Sequence, residues 1–260
     1  MKTTLVGLVA ATLCWACAGT AAASCTVRSG TTLVPLVELY TSEGCSSCPP
    51  ADRWLSTTFP PATPEPAVAV LAFHVDYWDR LGWTDRFAQP AFTARQYAAM
   101  RVNGATFVYT PQVLLQGKDV PPGRRGRIAD AAARSRAVAP QATVAIDASG
   151  LAAGGAVRVR ADIAPGRQDA QLWLAQVDSG LATEVKAGEN RGARLAHDHV
   201  VRALHGPFAA DRSGVAEAAV SLMRADEQGG APALVAFVQD RRSGAVLQSL
   251  AWPIDPACGR

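Results

Sequence analysis

VELYTSEGCSSCPPADRWL, residues 37–55, decides how this chain is read. LVPLVELY (33–40) is a continuous apolar, β-prone run of the kind that forms a buried strand. ADRWLSTT (51–58) reads as a short helix. Between them lies Cys45-Ser46-Ser47-Cys48. A sulfur placed just before a helix meets unpaired N–H groups and the positive end of the dipole, which favour a thiolate. Ser46 and Ser47 add hydroxyl donors, while Glu43 brings an opposing charge two residues away. Pro49 and Pro50 lack N–H groups and suit a helix's first turn, so regular helix is expected to start near Cys48.

A C-x-x-C pair admits three readings. Zinc needs a second pair of ligands, and the nearest candidates are His197 and His199, which are themselves read either as a metal pair or as a solvated strand face. A permanent structural disulfide is the second reading. The third is a redox pair that follows a strand and opens a helix. The order of elements around the pair favours the third.

Outward from the motif, AVAVLAFHV (67–75) is a second buried strand. Tyr77, Trp78 and Trp83 lie in an irregular polar-aromatic stretch, read either as a wall beside Cys45 or as a cap on the core. A helix is expected from Pro90 to about Met100, a strand at VLLQG (113–117) and a helix at 124–138. After Pro140 the runs become short, several alternate with period two, and Gly, Asn and Asp separate them. That pattern predicts an antiparallel β architecture.

The N-terminus reads as an address. Lys2 is followed by nineteen uncharged residues (5–23) ending in Ala21-Ala22-Ala23, the pattern of a secretory signal cleaved before Ser24. A retained membrane anchor is the competing reading. Cleavage leaves Cys25, Cys45, Cys48 and Cys258 in an oxidising compartment. A Cys25–Cys258 disulfide joining the ends is expected, against two free thiols. The 260 residues are 49% hydrophobic and 18% charged with a net charge of +3 and no basic run, which excludes a disordered tail protein and gives no footprint for nucleic acid.

VELYTSEGCSSCPPADRWL, FHVDYWDRLGW (73–83), PAFTARQ (90–96) and VYTPQVLLQG (108–117) closely resemble the secreted domain-of-unknown-function family 1223, placed with the thioredoxin-like proteins. VKAGENRGARLAHDHVVR (185–202) continues the resemblance more weakly. The resemblance implies an α/β thioredoxin-like domain (24–139, with a helical insertion at about 76–104) followed by an all-β, antiparallel sandwich-like domain (140–260). It implies Cys45 as nucleophile, Cys48 as resolving cysteine, and Thr110-Pro111 as a cis dipeptide facing them. It implies Glu38 as the carboxylate that moves a proton to or from Cys48; a carboxylate facing water is the other reading. Glu38 stands seven residues before Cys45, one more than the pattern, so the correspondence needs one extra loop residue.

The implied activity is exported thiol–disulfide exchange, with protein or small-molecule thiols and disulfides as partners. No cofactor and no nucleic acid is implied, and a membrane enters only through an uncleaved leader. A copper carrier built on Cys45, Cys48 and His74 is the alternative, since soft thiolates favour Cu(I). A non-catalytic interaction protein is the third. For GENRG (188–192) the sequence offers no chemical role.

Overall fold

A computed structural model describes residues 25–61, 67–151, 155–223, 232–254 and 258. The leader expected over residues 1–23 lies outside the described residues.

Strands β1 (Thr26–Arg28), β2 (Leu36–Thr41), β3 (Ala69–His74), β4 (Gln112–Leu115) and β5 (Lys118–Val120) precede residue 140. Helices α1 (Pro49–Thr58), α2 (Pro90–Val102) and α3 (Ile128–Ser135) lie among them. Then follow β6 (Ala142–Asp147), β7 (Val157–Ile163), β8 (Ala170–Asp178), β9 (Leu181–Glu184) and β10 (Arg194–His197). The last are β11 (Val200–Ala209), β12 (Val215–Val220), β13 (Ala233–Asp240) and β14 (Val246–Pro253).

One eight-stranded mixed sheet runs β14-β13-β8-β11-β3-β2-β4-β5. Its centre is the parallel pair β2/β3, in register from Leu36↔Ala69 to Thr41↔His74. β3 also pairs in parallel with β11 through Val200↔Ala72, where the Ala72 amide donates to the His199 carbonyl at 2.8 Å. A four-stranded antiparallel sheet, β1-β6-β7-β12, packs on the β8/β13/β14 part of the large sheet. Its β6 and β7 alternate buried and more exposed residues, as one-sided strands do. β9 and β10 form a separate hairpin.

This architecture overturns the expected fold class. The protein is mainly β with few helices, and the strands on either side of residue 140 share a sheet instead of forming an α/β thioredoxin-like unit followed by an independent β unit. The reason lies in β3. Alone, the early strands would leave β3 as an edge, yet AVLAFH is buried at every position. An apolar edge with unpaired backbone groups is a liability, and β11 covers it. The core follows the sheet: Leu36, Tyr40, Leu71, Phe73 and Phe92 pack in one cluster with Ala175, Val177, Val201, Val235 and Phe237. On the opposite face Val37, Leu39, Val70 and Val113 pack against Ala51 and Leu55 of α1.

The region expected as one helix over 124–138 is a 3-10 segment (Pro122–Arg127) followed by α3. Pro121, Pro122, Gly123 and Gly126 delay the regular helix there. A disulfide joins Cys25 and Cys258, Cα to Cα 5.5 Å.

Candidate functional site

β2 and β3 end side by side at Thr41 and His74, and the cysteine loop leaves from Thr41. β4 runs the other way, with Gln112 opposite Tyr40, so Thr110-Pro111 reaches the same sheet end. The Thr110–Pro111 bond is cis. The Trp78 indole N–H donates to Thr110 Oγ1 at 2.8 Å. A Cβ built on Gly44 would lie 3.1 Å from Trp78 Cβ, so this tryptophan links the dipeptide to the cysteine loop. Gln96 of α2 braces the segment through Tyr109 O and Gln112 Oε1, both at 2.9 Å.

Cys45 and Cys48 form a disulfide. Cys48 is the N-cap of α1 and the two prolines take the first helical positions. The helix therefore offers fewer N–H donors to a sulfur than an ordinary N-terminus. The donor beside Cys45 is a side chain: its sulfur lies 3.3 Å from Ser47 Oγ. Both cysteines are fully buried while Ser46 and Ser47 are exposed. An open, solvent-facing Cys45 is thus not what the fold presents.

The cover is GENRG, at the tip of the β9–β10 hairpin. Asn190 Nδ2 donates to the carbonyls of Glu43 (2.8 Å) and Cys45 (3.0 Å). The Ser46 amide donates to the Glu189 carboxylate at 3.0 Å, and the Ser46 hydroxyl together with this amide holds the Glu189 pKa below its ordinary value.

Beneath the loop sits a buried ionisable cluster. His74 Nδ1 is 2.6 Å from Asp85 Oδ2, with both side chains at 1% exposure or less. Burial alone would push the His74 pKa down, but the Asp85 carboxylate, helped by Asp52 and Glu43, offsets it and the net shift is upward. Burial would raise Asp85, but His74 outweighs it and Asp85 is held below the usual carboxylate range. Glu43 accepts from the Trp83 indole at 2.8 Å and lies 3.3 Å from His197 Nε2. Asp52, four residues beyond Cys48 on α1, is raised by burial, with His197 and His74 pulling it back.

The structure thus gathers Cys45, Cys48, Thr110, Pro111 and His74 at one end of the sheet. Glu38 is elsewhere. It lies on the face shared by Leu36 and Tyr40, and its carboxylate binds Arg95 (Nη2 2.6 Å, Nε 2.8 Å). The offset of one residue explains this: strand side chains alternate faces, and Leu39, not Glu38, points toward α1. His197 and His199 do not share a strand face, because His197 ends β10 while His199 lies beyond it with Nε2 2.7 Å from Phe59 O. His197 is 3% exposed, so the solvated reading fails as well. Among the described residues, no three His, Cys, Asp or Glu side chains are arranged to hold a metal ion, and Cys45, Cys48 and His74 do not form such a group. Tyr77 and Trp78 pack on the core, and the Trp78 and Trp83 indoles bond to Thr110 and Glu43, so the aromatic segment caps the core and braces the segments flanking the cysteine pair.

Sequence reading missed Asp85, Asp52, Glu189 and Asn190. Asp52 was findable, since i and i+4 share a helix face. The others come to the site only through tertiary pairing.

A mainly β protein with a four-residue disulfide loop, buried under a hairpin at the end of its central strands, is the class defined here. The chain belongs to the family described as protein of unknown function (DUF1223), whose model matches residues 36–239. It is similar to the crystal structure of protein AGR_C_4864 from Agrobacterium tumefaciens at 27% identity and a TM-score of 0.62, covering 86% of this chain and 96% of that one. HBP35 of Porphyromonas gingivalis shares the fold at 13% identity and a TM-score of 0.61, over 87% of this chain and 77% of the other. No curated protein matches the chain.

Proposed function

We propose that this protein is an exported thiol–disulfide oxidoreductase acting through Cys45 and Cys48. The observation that carries the reading is a disulfide closed across two solvent-exposed serines at the start of a helix, set over a buried ionisable cluster. A reducing thiolate attacks one sulfur of the pair, a mixed disulfide forms, and the other sulfur leaves as a thiolate and takes a proton. Ser47 supports negative charge on Cys45, which is the sulfur assigned the exchange. The Cys25–Cys258 disulfide and the leader pattern support export, since disulfides persist in oxidising compartments. No helix among the described residues is long and apolar enough to cross a membrane.

The test is a Cys48→Ser protein in an extract of the exported compartment. Expected is a covalent partner bound at Cys45 and released by reductant. Absence of any trapped partner, together with no exchange against a model disulfide, overturns the reading.

A further inference from the structure

The GENRG turn gains a role from what it touches. Three backbone groups of the cysteine loop, the Glu43 and Cys45 carbonyls and the Ser46 amide, form one polar edge. Each is met by a side chain: an amide N–H of Asn190 on the two carbonyls and a carboxylate oxygen of Glu189 on the amide. These are the donor and acceptor types a peptide backbone carries, an N–H for a carbonyl and an oxygen for an N–H.

The rest of the hairpin is held differently. Its base is anchored by buried Leu181, Leu195 and His197. At its tip Glu189, Arg191 and Gly192 are exposed, and Gly188 and Gly192 at positive φ (72° and 83°) flank the contact residues. The bonds joining the tip to the cysteine loop are polar and exchangeable for equivalent bonds from another chain, so the tip can be displaced while the base stays seated.

We propose that residues 188–192 occupy the place of an extended polypeptide segment, and that the Glu43–Cys45–Ser46 backbone edge is the docking surface for a protein thiol or disulfide. The proposal rests on the oxidoreductase reading and names its substrate class. A polypeptide can replace the turn bond for bond through its main chain, the mode by which extended peptides gain affinity at exposed backbone edges. A small thiol has no main chain to pair with the edge, so uncovering the edge adds little to its attack.

The test starts from the oxidised protein and measures formation of the mixed disulfide at Cys45 by intact mass. The attacking thiols are 2-mercaptoethanol and a short unstructured peptide with one central cysteine. In each case the thiolate sulfur bonds to Cys45, the Cys45–Cys48 bond breaks, and Cys48 leaves with the electron pair and is protonated. Asn190→Ala removes two hydrogen bonds and should speed the peptide reaction by about ten-fold, with a smaller gain for 2-mercaptoethanol. Gly188→Ala is the second variant. It keeps every polar group but places a methyl 3.0 Å from Trp83 Cβ at a positive φ, which lifts the tip and should give the same order of gains. An unchanged peptide rate in both folded variants, or an equal or larger gain for the small thiol, overturns the proposal. Catalytic transfer between a peptide disulfide and a dithiol is followed separately. Its failure beside the expected single-step rates would count against the oxidoreductase reading and not against the docking edge.

Discussion

His74 and Asp85 show how much of the site rests on one buried pair. Asp85 does three things at once: it faces His74 Nδ1, and it accepts from the amides of Glu43 (2.8 Å) and Phe87 (2.9 Å). Asp85→Asn would remove the largest of the nearby charges that raise the His74 pKa inside the fold. Breaking one side of a buried pair costs about 3–5 kcal/mol, to be read by urea denaturation. The pH dependence carries a sign. His74 has a folded pKa above its unfolded value near 6.5, so its contribution is complete below about pH 6.5 and fades as pH rises through the folded value. Asp85, held low, contributes above about pH 4 and loses that contribution only as pH falls through its depressed folded value. Asp52, raised by burial, works in the same direction as His74. The His74 share of wild-type stability should therefore fade above about pH 6.5, while His199 and His205, lowered by burial, work in the opposite sense in both proteins. Asp85→Asn should flatten the His74 share, seen as the difference between the two pH profiles. An unaltered pH profile in the variant would show that His74 does not draw its proton affinity from Asp85.

At the scale of elements, β2 separates two tasks by its alternation. Thr41 and Leu39 face α1 and the site, while Glu38 and Tyr40 face α2. Arg95, with 9% of its side chain exposed, bonds to Glu38 and Gln239 and lies over the rings of Phe73, Trp173 and Phe237. Glu38→Gln leaves that guanidinium without its counter-charge. It should cost about 3–5 kcal/mol in chemical denaturation, while the folded fraction reacts with peptide thiols at the wild-type rate. A slowed exchange step at full occupancy of the fold would return Glu38 to the chemistry. The same strand shows what a sequence discloses. Its apolar run, like those of β3, β8 and β13, was legible because burial on both faces demands it. The face of Glu38 was not, because one loop residue more or less reverses it. β9 and β10 went unread for another reason: LATE and RLAH are four residues each, mix charged with apolar positions, and gain their burial from tertiary packing such as Leu181 against Phe87 and Val200.

For the whole molecule, the decisive fact is the seam between β3 and β11, with β1 paired to β6 as a second link across residue 140. The change of texture after Pro140 was real in the sequence, and it records the one-sided strands β6 and β7, which pack a single face on the large sheet. It does not record a break in the core. Tyr40 and Phe73, stacked with centroids 5.3 Å apart, share their cluster with Phe237 and Trp173, themselves stacked at 6.3 Å. A chain ending at residue 139 would expose the β3 edge and one face of that cluster together. Residues 25–139 produced alone in an oxidising compartment should aggregate or unfold without a cooperative transition, whereas residues 25–260 should unfold in one. Cys25 would also lose Cys258, whose closure of a 233-residue separation is worth about 5 kcal/mol by the chain-entropy argument. Restoring the seam tests the cause: co-expressed residues 140–260 should rescue solubility of the first piece, and Ala72→Pro in that piece, which removes the N–H donated to His199 O across the seam, should abolish the rescue. A soluble, cooperatively folding 25–139 piece would mean that β3 tolerates its edge and that the shared sheet is a docking of two independent units.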